Sequence, residues 1–219
     1  MSTAPELGSL HAAPESDHRA AIQLSFGAAG FPLLIRPEAP MTEDELLSFC
    51  RLNKGFEIAC DPDGTLRIMT PAGAKTSRLN IYLNRELDLW AEADGRGVVF
   101  GSDLGVRFPD RSMRAPDAAW TSKARYDALD KAAQERFLPF CPEFVAELRS
   151  PTDRISQTEA KMEFWMSRGA LLGWLIDPHR KLAMIYRPNQ EPETLSQPEF
   201  LHGEGPIQGF SLKMQRFWE

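Results

Sequence analysis

PEFVAELRSPTD, residues 142–153, is the stretch on which the reading of this chain turns. It is an apolar strand with a carboxylate inside it. Side chains alternate across a strand, so Val145, Glu147 and Arg149 share one face while Phe144, Ala146 and Leu148 share the other. A carboxylate in such a strand is costly to bury unless it is paired or bound to a cation. A salt bridge to Arg149, or exposure at a sheet edge, is the alternative that periodicity leaves open. Upstream, APDAAW (115–120) places Asp117 at the start of another short apolar strand, directly after Pro116. Downstream, a helix is expected from Ser156 to Arg168, with Ile155, Met162 and Met166 on one face and Gly169 ending it. LLGWLIDP (171–178) and KLAMIYRP (181–188) then read as a hairpin joined through Pro178, His179 and Arg180.

Outward from this centre the pattern continues. MTEDELLSFCRLN (41–53) opens a helix with Thr42 and Glu45 as a capping box. FEIACDPDGTLRIMTP (56–71) reads as two strands around an Asp-Pro-Asp-Gly turn. TSRLNIYLNRELDLWAEA (76–93) carries Leu79, Leu83, Leu87 and Trp90 at helical spacing. VVFGSDLGVRF (98–108) is strand-like, KARYDALDKAAQERF (123–137) reads as one charged helix, and PIQGFSLKMQRFWE (206–219) as a last strand and turn. Strands flanked and interrupted by helices give an α/β fold with a central mixed sheet. The Asp153 side chain is expected to cap the helix that follows it.

Composition limits the functions available. The chain has 219 residues, 42% hydrophobic and 26% charged, enough for a sizeable core and incompatible with wholesale disorder or a membrane protein. A net charge of −6 gives no global attraction for nucleic acid, so a nucleic-acid partner needs a local basic groove. From Arg107 to Arg125 five basic residues stand against two acids, and from Arg149 to Arg187 seven stand against four. The three cysteines, Cys50, Cys60 and Cys141, have no C-x-x-C spacing and suit reduced thiols in a cytoplasmic setting. The apolar run from Ala20 to Ile35 follows acids and is broken by Gly27, Gly30 and Pro32, so neither a targeting segment nor a membrane span is expected. Residues 1–40 hold five prolines and read as a tail or oligomerisation arm, with Leu33, Leu34 and Ile35 packing against a second copy in a homodimer. Residues 41–219 read as a single domain.

An Asp on one strand, then a Glu-x-basic triplet on the next, resembles the PD-(D/E)xK nuclease superfamily. Pro116-Asp117 supplies the PD and Glu147-Leu148-Arg149 the triplet. Within it the chain resembles the Uma-two family of restriction-endonuclease-like proteins. The resemblance is carried from about Met41 to Glu219 by the 56–71 hairpin, APDAAW, PEFVAELRSPTD, the helix holding Lys161, GWLIDP, and the ending GFSLKMQRFWE. It implies a restriction-endonuclease-like fold with an extra N-terminal β-hairpin, hydrolysis of DNA phosphodiester bonds, and Mg²⁺ or Mn²⁺ as cofactor. It also implies that Asp117 and Glu147 bind the metal, with the Leu148 carbonyl as a further ligand and Glu57 in support. Hard divalent ions take oxygen donors, stabilise charge on a transferring phosphoryl group and lower the pKa of bound water.

The sequence departs from the pattern at two places. The strand lysine is replaced by Arg149, which can hold a phosphate oxygen but cannot act as a base. The family's substitute lysine on the following helix falls at Lys161. A histidine frequent at the start of the 76–93 helix is also missing, and Ala74, Lys75 and Thr76 stand there. These departures keep open a nuclease-fold module with weak or no activity that binds nucleic acid or protein. A carboxylate-pair glycosidase is a distant third reading. The histidines have no i, i+4 partner, and there is neither a nucleophile elbow nor a glycine-rich phosphate loop.

Overall fold

Alternation in the three most apolar strands decides how the layers stack. The computed structural model describes residues 32–219, beginning with β1 (Leu33–Ile35), α1 (Glu43–Leu52), β2 (Glu57–Cys60), β3 (Leu66–Met69) and α2 (Ala74–Asp94). There follow β4 (Gly97–Phe100), β5 (Val106–Arg107), β6 (Met113–Arg114), β7 (Ala118–Ser122), α3 (Lys123–Asp127), α4 (Lys131–Gln134), β8 (Phe144–Leu148) and α5 (Ile155–Ser167). The chain ends with β9 (Leu172–Asp177), β10 (Leu182–Tyr186), β11 (Glu193–Ser196), β12 (Phe200–His202) and β13 (Ser211–Lys213).

The central sheet has six strands in the order β11-β10-β9-β8-β7-β4. It is mixed, because β8 and β9 run parallel with α5 as their crossover, while the other neighbours are antiparallel. Ala118, Trp120, Phe144, Ala146, Leu148, Trp174 and Ile176 turn to one face, against Leu79, Leu83 and Leu87 of α2. Ala119, Val145 and Leu175 turn to the other, against Met162 and Trp165 of α5. The sheet is thus flanked by a helix on each face, as the sequence pattern implies. Gly173 on β9 lies beneath α5: a Cβ there would come 2.3 Å from Met162 Cε, so a side chain at this position would displace the methionine's end.

The N-terminal hairpin does not extend this sheet. With β1, β6 and β5 it forms a second, antiparallel sheet in the order β1-β3-β2-β6-β5, with its own core around Leu46, Phe49, Ile58, Leu66 and Ile68. The Asp61–Gly64 turn has Gly64 at φ +86°, a conformation glycine adopts without penalty. The capping box forms, with Thr42 Oγ1 accepting from Glu45 N–H and the Glu45 carboxylate accepting from Thr42 N–H.

Three sequence expectations differ from the structure. The charged helix over 123–137 is two short helices, because the Asp130 carboxylate accepts the Ala133 N–H at 2.8 Å and restarts the helix there. Asp153 does not cap α5, whose N-cap is Arg154; its Oδ2 accepts the Ser150 N–H at 2.8 Å and closes the preceding turn. Leu33–Ile35, expected in an arm reaching another subunit, pair with Leu66–Ile68 of the same chain, and the rest of that arm up to residue 31 lies outside the described residues. Among the described residues no helix is long and apolar enough to cross a membrane.

Candidate active site

The antiparallel register of β7 and β8 pairs Ala118 with Ala146 and Ala119 with Val145. One step further along the same register sets Asp117 opposite Glu147. Asp117 stands just before β7, where Pro116 brings the chain to the sheet without needing a ladder N–H. Its Oδ2 accepts the Leu148 N–H at 2.7 Å, and its Oδ1 accepts Asn80 Nδ2–H from α2 at 3.0 Å.

Glu147 is 2% exposed and meets α5 from beneath. Its Oε1 accepts the Trp165 indole N–H at 2.7 Å, and its Oε2 lies 2.8 Å from Lys161 Nζ. Positions 161 and 165 are one helical turn apart and so project from one face. Lys161 Nζ also lies 3.7 Å from Glu57 Oε1, at the start of β2. The second sheet thereby lends a carboxylate to a cluster built on the first. Glu57, Asp117, Glu147 and Lys161 are brought together from four elements.

Burial pushes the Glu147 carboxyl up to about 8; Asp117 reinforces the rise, while Lys161 and the Trp165 N–H oppose it. Burial also works against the Lys161 ammonium, but Glu147, Glu57 and Asp117 outweigh it and raise Lys161 above its ordinary range. The two shifts share a direction but not a cause: burial lifts Glu147, while the surrounding carboxylates lift Lys161 against burial.

That ammonium occupies the place of a cation among oxygen donors. Among the described residues no group of three or more His, Cys, Asp and Glu is arranged to hold a metal ion. The donor set of two adjacent carboxylates, with main-chain oxygens at the end of β8, nevertheless suits a hard divalent ion, which needs only one or two carboxylates beside its waters.

Arg149 does not join the cluster. Its Nη1 lies 2.8 Å from Asp177 Oδ2, and its Nε and Nη2 donate to the Asp153 carbonyl at 3.1 and 3.0 Å. Asp177, 2% exposed, also accepts the main-chain N–H groups of His179 and Arg180. Arg149 therefore ties the end of β8 to the end of β9. Lys75, at the helix start that lacks the histidine, donates to the Glu219 carbonyl at 3.0 Å.

Sequence reasoning missed Asn80, Asn84 and the donor role of Trp165. The signal was present for the asparagines, since two amides at i, i+4 interrupt an otherwise leucine-rich helix. Trp165 was read as core, and it is fully buried; its indole N–H is nonetheless spent on Glu147.

A family profile described as "Putative restriction endonuclease", Uma2, matches residues 44–215. The chain belongs to the Uma2 family. Among solved structures it is similar to one titled as a putative nuclease belonging to DUF820 from Anabaena variabilis, with a TM-score of 0.68 and 20% identity over 82% of this chain and 98% of that one. At that identity the likeness concerns the fold. No curated protein matches the chain. In this Uma2 chain Asp117 and Glu147 both lie within the matched residues.

Proposed function

We propose that this Uma2 protein is a divalent-metal-dependent endonuclease that hydrolyses phosphodiester bonds in DNA. The observation that carries the reading is the convergence of Asp117 and Glu147 across adjacent strands, with the Lys161 ammonium held among carboxylates as a cation would be. Asp117, Glu147 and the Leu148 carbonyl would hold Mg²⁺ or Mn²⁺, with Glu57 in support from the second sheet. When bound, the ion supplies Lewis acidity and lowers the pKa of water beside the scissile phosphate.

The residues of the chain divide the remaining work. Lys161 stays protonated, since its neighbours raise its pKa, so it acts as a positive hydrogen-bond donor to a phosphate oxygen and not as a base. Trp165 N–H and Leu148 N–H fix the directions of the two carboxylates. Sequence-independent affinity for DNA would come from exposed cations, such as Arg154 at the start of α5, which has no ion pair among the described residues.

Incubating the protein with plasmid DNA and Mn²⁺, beside an Asp117→Ala variant, tests this reading. Cleavage by the wild type and none by the variant is expected; equal cleavage by both rejects the role of Asp117. A second reading, a nuclease fold kept for binding, draws on the commitment of Arg149 to Asp177. It requires salt-sensitive DNA retention that ignores chelator, with no cleavage.

A further inference from the structure

Two fully buried side-chain oxygens beside Asp117, Asn80 Oδ1 and Asn84 Oδ1, have no hydrogen-bond partner among the described residues. A flipped amide cannot explain them. Asn80 Nδ2 faces Asp117 Oδ1 at 3.0 Å, and Asn84 Nδ2 faces the Asn80 carbonyl at 2.9 Å and the Asp117 carbonyl at 3.0 Å. Carboxylate and carbonyl oxygens only accept, so each NH₂ group must point where it does and each Oδ1 must point away. Leaving a buried acceptor unpaired is unfavourable, and native folds rarely do it without cause. Here both amides, one turn apart on α2, are aimed at a single residue: one at its carboxylate, the other at its main chain.

We infer that Asn80 is a positioning residue for Asp117, with Asn84 clamping α2 to the start of β7 so that the Asn80 amide reaches the carboxylate. The inference rests on the proposed metal-holding role of Asp117. The Asp117 carboxylate has a donor on each oxygen, the Leu148 N–H on Oδ2 and Asn80 on Oδ1. The first belongs to the backbone and is present whatever the side chain; the second depends on residue 80 alone. Without it the carboxylate keeps one anchor and gains freedom to rotate about that bond. Outer hydrogen bonds of this kind, made to a metal-binding group by a residue that does not itself touch the metal, commonly change metal affinity by about 10- to 100-fold when removed.

The test is Mn²⁺ binding to the full chain by calorimetry, with circular dichroism and thermal unfolding in chelator as a check on the fold. Asn80→Ala should weaken Mn²⁺ binding about tenfold or more. Its melting midpoint in chelator should fall little, because an unpaired oxygen leaves with the lost bond. Asn80→Asp keeps the size but replaces the donor with an acceptor facing Asp117; it should weaken binding at least as much, and it decides the matter if the alanine variant does not fold. Wild-type Mn²⁺ affinity in a folded residue-80 variant, while Asp117→Ala abolishes binding, overturns the positioning role and leaves the metal reading standing. A wild-type protein that binds no Mn²⁺ overturns both.

Discussion

Replacing Glu147 with glutamine should change the pH dependence of stability more than any other conservative substitution in the cluster. Burial raises this carboxyl from an ordinary 4.5 to about 8, so its ionised form is disfavoured in the folded protein. The difference is about 3.5 pH units, or about 5 kcal/mol at 1.36 kcal/mol per unit. For a raised folded-state pKa the stabilising contribution is fully present below 4.5 and is lost as pH rises through about 8. Wild-type protein should therefore lose up to about 5 kcal/mol relative to Glu147→Gln across that window. Other shifted groups near it fall outside. The Lys161 contribution is constant below its ordinary 10.5, and Glu143, whose pKa is lowered despite burial by the Thr121 and Ser122 hydroxyls and by Arg125, loses its contribution only below 4.5. The glutamine also leaves the Lys161 ammonium without its closest partner, which adds an offset. Unfolding free energies from urea titrations of both proteins, taken from about pH 5 to about pH 9 in chelator, measure the difference. Parallel profiles would refute the argument, because they would mean that Glu147 titrates as a solvated acid.

Three further outcomes follow from the same geometry. Lys161→Met removes the ammonium from a buried carboxylate and should cost about 3–5 kcal/mol where Glu147 is ionised, above about pH 8, and less in acid, as equilibrium unfolding in the two buffers would show. Arg149→Ala leaves buried Asp177 with only main-chain donors; it should lower stability by about 2–3 kcal/mol while calorimetric Mn²⁺ affinity stays at the wild-type value, and a loss of that affinity would return Arg149 to the site. Mn²⁺ affinity itself should fall by up to about tenfold per pH unit below about 8, since binding displaces a proton from Glu147; affinity independent of pH over that range would exclude Glu147 as a ligand.

Much of this was open to reading from residue order alone. Alternation in 144–148 assigns Glu147 and Val145 to one face and Phe144, Ala146 and Leu148 to the other, and the two hydrophobic layers follow that division. The helix through Lys161 ends at Gly169, whose φ of +102° is where an l-residue is strained. The capping box and the Asp61–Gly64 turn are likewise local, because the atoms that form them lie within three or four residues of one another. Where local signals competed, Asp130 capped a new helix and split the expected one, and Asp153 bonded back to Ser150 instead of forward into α5.

The contacts that give the cluster its chemistry are of another kind. Sequence periodicity fixes which face of a strand or helix a side chain occupies; it carries no information about which strand lies beside it or how far a helix slides along a sheet. The opposition of Asp117 to Glu147 depends on the register of β7 and β8, and the 2.8 Å approach of Lys161 depends on how α5 packs onto the sheet. Arg149 found a partner 28 positions away in Asp177, and Asn80 found one 37 positions away in Asp117, through the packing of separate elements onto one sheet. Residue types and their faces were settled by the chain itself, because backbone geometry repeats locally. Which charges meet was settled by the assembled layers, because only close packing of distant segments excludes water and makes each carboxylate choose its partner.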